Sequence, residues 1–170
     1  RQEEQRIAAE SLDAQLRRDL EGEQYDRYVG AKQRFDDESQ NYLDVQQATQ
    51  TALDALEGGT PSELWAAGIL INKALDPTSV VRPEEAAAIG QLGGIWDRAN
   101  TIMQKAGNGQ AILPAQRDEL RELLYDIRGT SNEFQLSLQA DYLNEMSDAG
   151  VPQKYWDNFN KTGNIPAYVP

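Results

Sequence analysis

Few residues in this chain have both the type and the spacing to do chemistry. "LDPTSVVRPEE" (75–85) gathers Asp76, Ser79, Arg82 and Glu85 around two prolines, with carboxylates, a hydroxyl and a guanidinium within ten positions. "FDDES" (35–39) has a faint calcium-loop spacing, but lacks the central Gly and terminal Glu of the twelve-residue loop, so a solvated helix face accounts for it better. "GQLGG" (90–94) is no phosphate loop, because no Gly-Lys-Ser/Thr follows. Glu84 and Glu85 beside Pro83 read as helix-start chemistry. With no Cys and no His in the chain, Cys/His metal sites, thiol nucleophiles and His-based triads are excluded. Catalytic, cofactor-binding and metal-binding residues are therefore expected to be absent.

The elements that position these residues are helical. Residues 1–57 hold no Pro and carry a narrow apolar stripe: Ile7, Leu12, Leu16 and Leu20, then Tyr28, Phe35 and Tyr42 in steps of seven, then Val45, Leu53 and Leu56. Such a seam predicts one long, coiled-coil-like helix that needs a partner. "EGGTPSE" (57–63) stops it and starts the next, with Thr60 as N-cap, Pro61 at the first helical position and Glu63 closing a capping box. The most apolar stretch, "SELWAAGILINKAL" (62–75), is expected at the buried centre, with Trp65, Leu70 and Trp96 in the core. Further helices open at Pro83 and Pro114 and reach about Ala106 and Ser147. "GVPQKYWDNFN" (150–160) predicts a short helix opened by Pro152.

The expected fold is thus all-α. A long amphipathic helix (1–57) precedes a compact helical bundle (60–150) with its corner at 76–85, followed by a short helix and extended tail (151–170). Tyr28, Phe35 and Tyr42 on the seam, and Tyr155, Trp156 and Phe159 near the end, are candidates for docking a partner. For the last three, a short helix folding back onto the bundle accounts for the pattern equally well. Asp76, Pro77, Ser79, Val81, Arg82 and Glu85 read as a fold-fixing corner. Asp76 and Ser79 cap, Pro77 stops one helix, Val80 or Val81 staples onto the next, and the Arg82 fork ties carbonyls to a carboxylate such as Asp76.

Composition narrows the partners. The net charge is −12 with pI near 4.4, against a basic face for nucleic acid or an anionic membrane. Mean hydropathy is −0.67, and no run reaches the roughly 18–20 apolar residues of a spanning helix. The chain opens on Arg1 and shows no signal peptide, so a processed protein or an excerpt of a longer one is expected, intracellular or within a virion.

"LWAAGILINKALDPTSVVRPEEAAAI" (64–89) resembles a helical segment of tailed-bacteriophage internal virion, DNA-ejection and tape-measure-type structural proteins. The pattern Lys-x-Leu-Asp-Pro-x-Ser-Val-Val-Arg-x-x-Glu falls on Lys73, Leu75, Asp76, Pro77, Ser79, Val80, Val81, Arg82 and Glu85. Pro83 and Ala86 depart from it, where a non-Pro residue and an aromatic are usual. "ILPAQRDELRELLYDI" (112–127) is similar to a downstream helix start of the same proteins, so the resemblance spans about 20–150. It implies a non-enzymatic component of a phage virion, contributing to a DNA-delivery conduit. Tail tape-measure or tail-tip assembly is the alternative, as is a helical segment of a larger virion protein with a muralytic domain elsewhere. A muralytic fragment and a host-type helical adaptor are rivals from other classes. The resemblance further implies homo-oligomers and contacts with portal, tail or other ejection proteins. It places DNA nearby without specific binding, in the virion and in the host periplasm or envelope after ejection.

Overall fold

The structure, a computed structural model, describes residues 1–75 and 83–164, with the backbone alone for 83–89. It is all-α: α1 (Gln2–Asp19), α2 (Gly22–Gly58), α3 (Pro61–Ala74), α4 (Pro83–Gly107), α5 (Pro114–Asp148) and a 3₁₀ helix (Gln153–Phe159). No strand occurs among the described residues.

The Pro and Gly punctuation accounts for most boundaries. Thr60 caps α3 through its hydroxyl, which accepts from Glu63 N–H at 3.2 Å, while the Glu63 carboxylate accepts from Thr60 N–H at 2.8 Å. This is the capping box expected from "GGTPSE", with Pro61 in the first turn. Helix α5 stops at Gly150, whose φ of 75° lets Val151 N–H reach back to the Met146 carbonyl at 3.0 Å. Beyond it, Pro152 opens a single 3₁₀ segment.

The expected single helix over 1–57 is two. Leu20 is extended (φ −106°, ψ 140°), and the Gln24 side chain accepts from Glu21 N–H at 3.2 Å, which starts α2 afresh. The gain is burial: Leu16 and Leu20 enter a core with Tyr28 and Phe35 of α2. A thin stripe on a long helix finds its partner here within the chain.

The described residues form two compact units, and their boundary cuts α2 and α5. The first unit joins residues 1–37 to the described residues from 137 onward. Its core is aromatic, with Tyr28, Phe35, Tyr142, Tyr155 and Phe159 among Leu138, Met146 and Val151. The second unit is residues 38–136. Its core is aliphatic, with Val45, Leu56, Leu64, Ile71, Trp96, Met103, Leu124 and Ile127 among many alanines. Helices α3 and α4 cross closely there. The Gly107 backbone lies against the Trp65 indole so tightly that a Cβ at 107 would sit 2.8 Å from the ring. Asn72 accepts from the Trp96 indole N–H at 3.2 Å.

Within the second unit α2 and α5 are tied by an antiparallel ladder of polar contacts. Gln135 donates to Ser39 Oγ at 2.7 Å, Tyr42 meets Asn132 at 3.3 Å, and Gln46 donates to the Arg128 carbonyl at 3.2 Å. Each step along α2 is matched by an equal step back along α5. Ser39 and Gln135 are fully buried.

Candidate interaction surface

The seam and terminal aromatics proposed for docking lie mostly inside the first unit. Phe35 is wholly buried and Tyr28 is 3% exposed. Phe159 sits edge-on to Tyr28 at 5.5 Å between ring centroids and stacks on Tyr142 at 6.0 Å. Phe35 lies 5.4 Å from Tyr142 and 5.5 Å from Phe159. The Tyr28 hydroxyl accepts from Asn158 at 2.7 Å, and the Tyr155 hydroxyl donates to Asp19 at 2.7 Å. Burial raises the Tyr28 phenol above its ordinary value, and the Asn158 hydrogen bond opposes that only in part. Tyr28, Phe35, Tyr155 and Phe159 are therefore core, which corrects the docking reading for these four. Of the two alternatives for "KYWDNF", the segment folding back is what the structure has. Tyr42 and Trp156 are half-buried, Tyr42 against Asn132 and Trp156 with its indole N–H on the Val151 carbonyl at 3.1 Å.

The corner residues Asp76, Pro77, Ser79, Val81 and Arg82 lie outside the described residues, and Glu85 lies where only the backbone of α4 is described. Around "FDDES", Asp36 pairs with Lys32 at 2.5 Å and Lys161 at 3.1 Å, while Asp37 accepts from Gln33. Burial pushes the Asp36 carboxyl up most strongly. The two lysines together outweigh it and hold the group below the usual carboxylate range. The carboxylate is thus occupied by ammonium groups, and Ser39 turns inward to Gln135. No cluster of three or more metal-ligating side chains occurs among the described residues.

A half-open cavity of about 230 Å3 lies in the second unit where the end of α2, the start of α3 and the α4–α5 link meet. Leu56, Leu64, Ala106 and Ile112 form apolar walls, and Thr60 and Arg117 stand at its polar side. It is smaller than the 300–1,000 Å3 usual for a ligand pocket. Its one cation is engaged: Arg117 donates to the Leu56 carbonyl at 2.5 Å and closes the end of α2. This is a helix-stop arrangement with space beside it.

The second unit exposes Leu43, Leu113 and Tyr125 singly, and two consecutive large aliphatics on the outward side of α3. Leu64, Ala67, Gly68, Ile71 and Ala74 face the core, as the apolar composition of this helix leads one to expect. Ile69 and Leu70 do not, with 55% and 51% of their surfaces exposed. Leu70, expected in the core with Trp65 and Trp96, is on the surface; Trp96 is buried and Trp65 half-buried. The reason is angular. A helix apolar on nearly every face presents two faces to a bundle that covers one. Ala66 and Lys73, also exposed, lie on the same side as Leu70, at steps of four and three residues.

No protein-family model, no curated protein and no solved structure matches this chain. No helix among the described residues is long and apolar enough to cross a membrane.

Proposed function

We propose that this chain is a non-enzymatic structural module that docks into a larger helical assembly. On the resemblance of residues 64–89, that assembly is a tailed-bacteriophage particle, with the chain serving as an internal or ejection protein of the DNA-delivery conduit. The observation that carries the docking reading is the outward side of α3, where Ile69 and Leu70 stand exposed about one helical turn before the LDPTSVVRPEE segment. Consecutive exposed aliphatics leave the outer side of this helix apolar over two adjoining faces, which a docking partner would cover. The charge of −12 suits a conduit, because an acidic wall repels DNA phosphates where a basic wall would trap them. A tape-measure or tail-tip role draws on the same features.

Quantitative mass spectrometry of particles from the encoding phage tests this reading. The expected result is the chain at several copies per particle, with incorporation reduced by Leu70→Glu. Absence from the particle overturns the virion assignment. Turnover of peptidoglycan by the isolated chain overturns the non-enzymatic one.

A further inference from the structure

The outward face of α3 carries a pattern that selects its own partner. Glu63, Ala66, Leu70 and Lys73 recur at steps of three, four and three residues, the spacing of a packing seam, and all four are exposed. The pattern reads as its own complement when reversed. A two-fold axis across α3 at the level of Gly68 sets Glu63 of one copy, whose carboxylate keeps one oxygen on Thr60 N–H and has the other to offer, against Lys73 of the other copy, at both ends of the seam. The same axis sets Ala66 against Leu70, a small side chain opposite a large one, twice. Glu63 and Lys73 are ten residues apart, about 15 Å along the helix, so the two ion pairs bracket the apolar contact. Parallel pairing would instead bring Glu63 onto Glu63 and Lys73 onto Lys73.

We infer that α3 pairs antiparallel with α3 of a second copy of this chain through Glu63, Ala66, Leu70 and Lys73. Ile69 stands to one side of this seam, because the same axis would set it against Ala67, which is buried in the core. The inference rests on the reading of this face as a docking surface and names its occupant. A second copy is favoured over an unrelated helix because charge and side-chain size are both matched by reversal of the same four residues. The seam is one 14-residue helix per copy, less than the roughly 800 Å2 per partner of a standard stable interface. Each copy also carries −12. The free chain therefore pairs weakly, and subunits held close in an assembly pair fully.

The chain has no Cys, so introduced thiols report pairing without background. Ala66→Cys and Leu70→Cys chains are prepared separately; both positions are exposed, and circular dichroism checks that helicity is kept. When the two are mixed at high concentration under mild oxidation, the expected product is the mixed disulfide dimer, several-fold above either like-with-like dimer. Like-with-like dimers in equal or greater yield, or no cross-linked product, overturn the inference. Lys73→Glu in both chains sets a carboxylate against Glu63 and is expected to lower the yield several-fold. An unchanged yield overturns the charge pairing. If cross-linking fails while the chain is found in particles, self-pairing falls and the docking reading stands. If the chain is absent from particles, the virion reading falls whatever the cross-linking gives.

Discussion

Phe35→Ala separates a packed aromatic core from a docking seam. Phe35 is wholly buried, and its ring lies between Tyr142 of α5 and Phe159 of the 3₁₀ helix, at 5.4 and 5.5 Å. Truncation removes the buried ring and leaves a cavity, which costs about 3–5 kcal/mol. Two aromatic pairs are lost within that figure, each worth about 0.5–1.5 kcal/mol. The cavity would be walled by rings from two further segments that hold one another in place, so collapse is poor and about 4 kcal/mol is expected. For a chain of this size each kcal/mol moves the melting temperature by about 2–4 °C, so the first unit should melt roughly 8–16 °C lower. Differential scanning calorimetry of the full chain measures it, with near-ultraviolet circular dichroism following the loss of aromatic packing. Tyr125→Ala is the control, because Tyr125 is 58% exposed and surface changes stay within about 0.5 kcal/mol. If Phe35→Ala melts like the control, the ring is not core and the aromatic cluster is misread.

Removing the cap with Thr60→Ala should destabilise the second unit by about 1 kcal/mol, seen as a lower urea midpoint with unchanged slope. Ser39→Ala strands the buried Gln135 amide and should cost about 1–3 kcal/mol. Gln135 Oε1 already lacks a partner, so Ser39→Ala with Gln135→Leu should recover most of that cost; a double variant as weak as the single refutes the assignment. Acid should weaken the first unit. Hydrogen bonds from Tyr25 and then Arg17 hold the Asp13 carboxyl low, and those from Lys154 and then Tyr155 hold Asp19 low. Asp36 is low because Lys32 and Lys161 overcome its burial. All three bind protons less readily folded than unfolded. Their stabilisation is complete above the unfolded value of about pH 4 and is lost as pH falls through the lower folded values. Urea midpoints measured downward from pH 6 should therefore drop below about pH 4, and less so in Asp36→Asn.

Legibility in the sequence followed the physics of each feature. Caps and stops are local, so Thr60 with Glu63, Pro83, Pro114 and Pro152 marked helix starts correctly from residue type and spacing. The seam Tyr28–Phe35 identified the buried face of α2, but periodicity says which side is apolar and not what covers it. The cover is α5 and the 3₁₀ helix, more than a hundred residues away. The break at Leu20 has no Pro, and only Gly22 nearby hints at it; it exists because Leu16 and Leu20 gain burial by turning back. Leu70 misled for the opposite reason, since composition made it core and the bundle had already filled the face it needed.

The buried polar residues were the least legible and explain the most about register. On α5 one buried face runs Leu124, Ile127, Ser131, Gln135, Leu138, Gln139 and Tyr142, interrupted by three polar residues, Ser131, Gln135 and Gln139. On α2 the same face runs through Phe35, Ser39 and Val45. Long helices with repeating apolar faces can slide by a turn at little cost to hydrophobic contact, so burial alone specifies their register poorly. A slide by one turn takes Gln135 away from Ser39, and leaves both polar groups buried without partners, at about 1–3 kcal/mol each. It also misaligns Tyr42 with Asn132 and Gln46 with the Arg128 carbonyl. The polar steps thus hold α2 and α5 in one register of the several that their apolar faces alone would allow. A seam made wholly of Leu and Ala would bury more apolar surface and specify less.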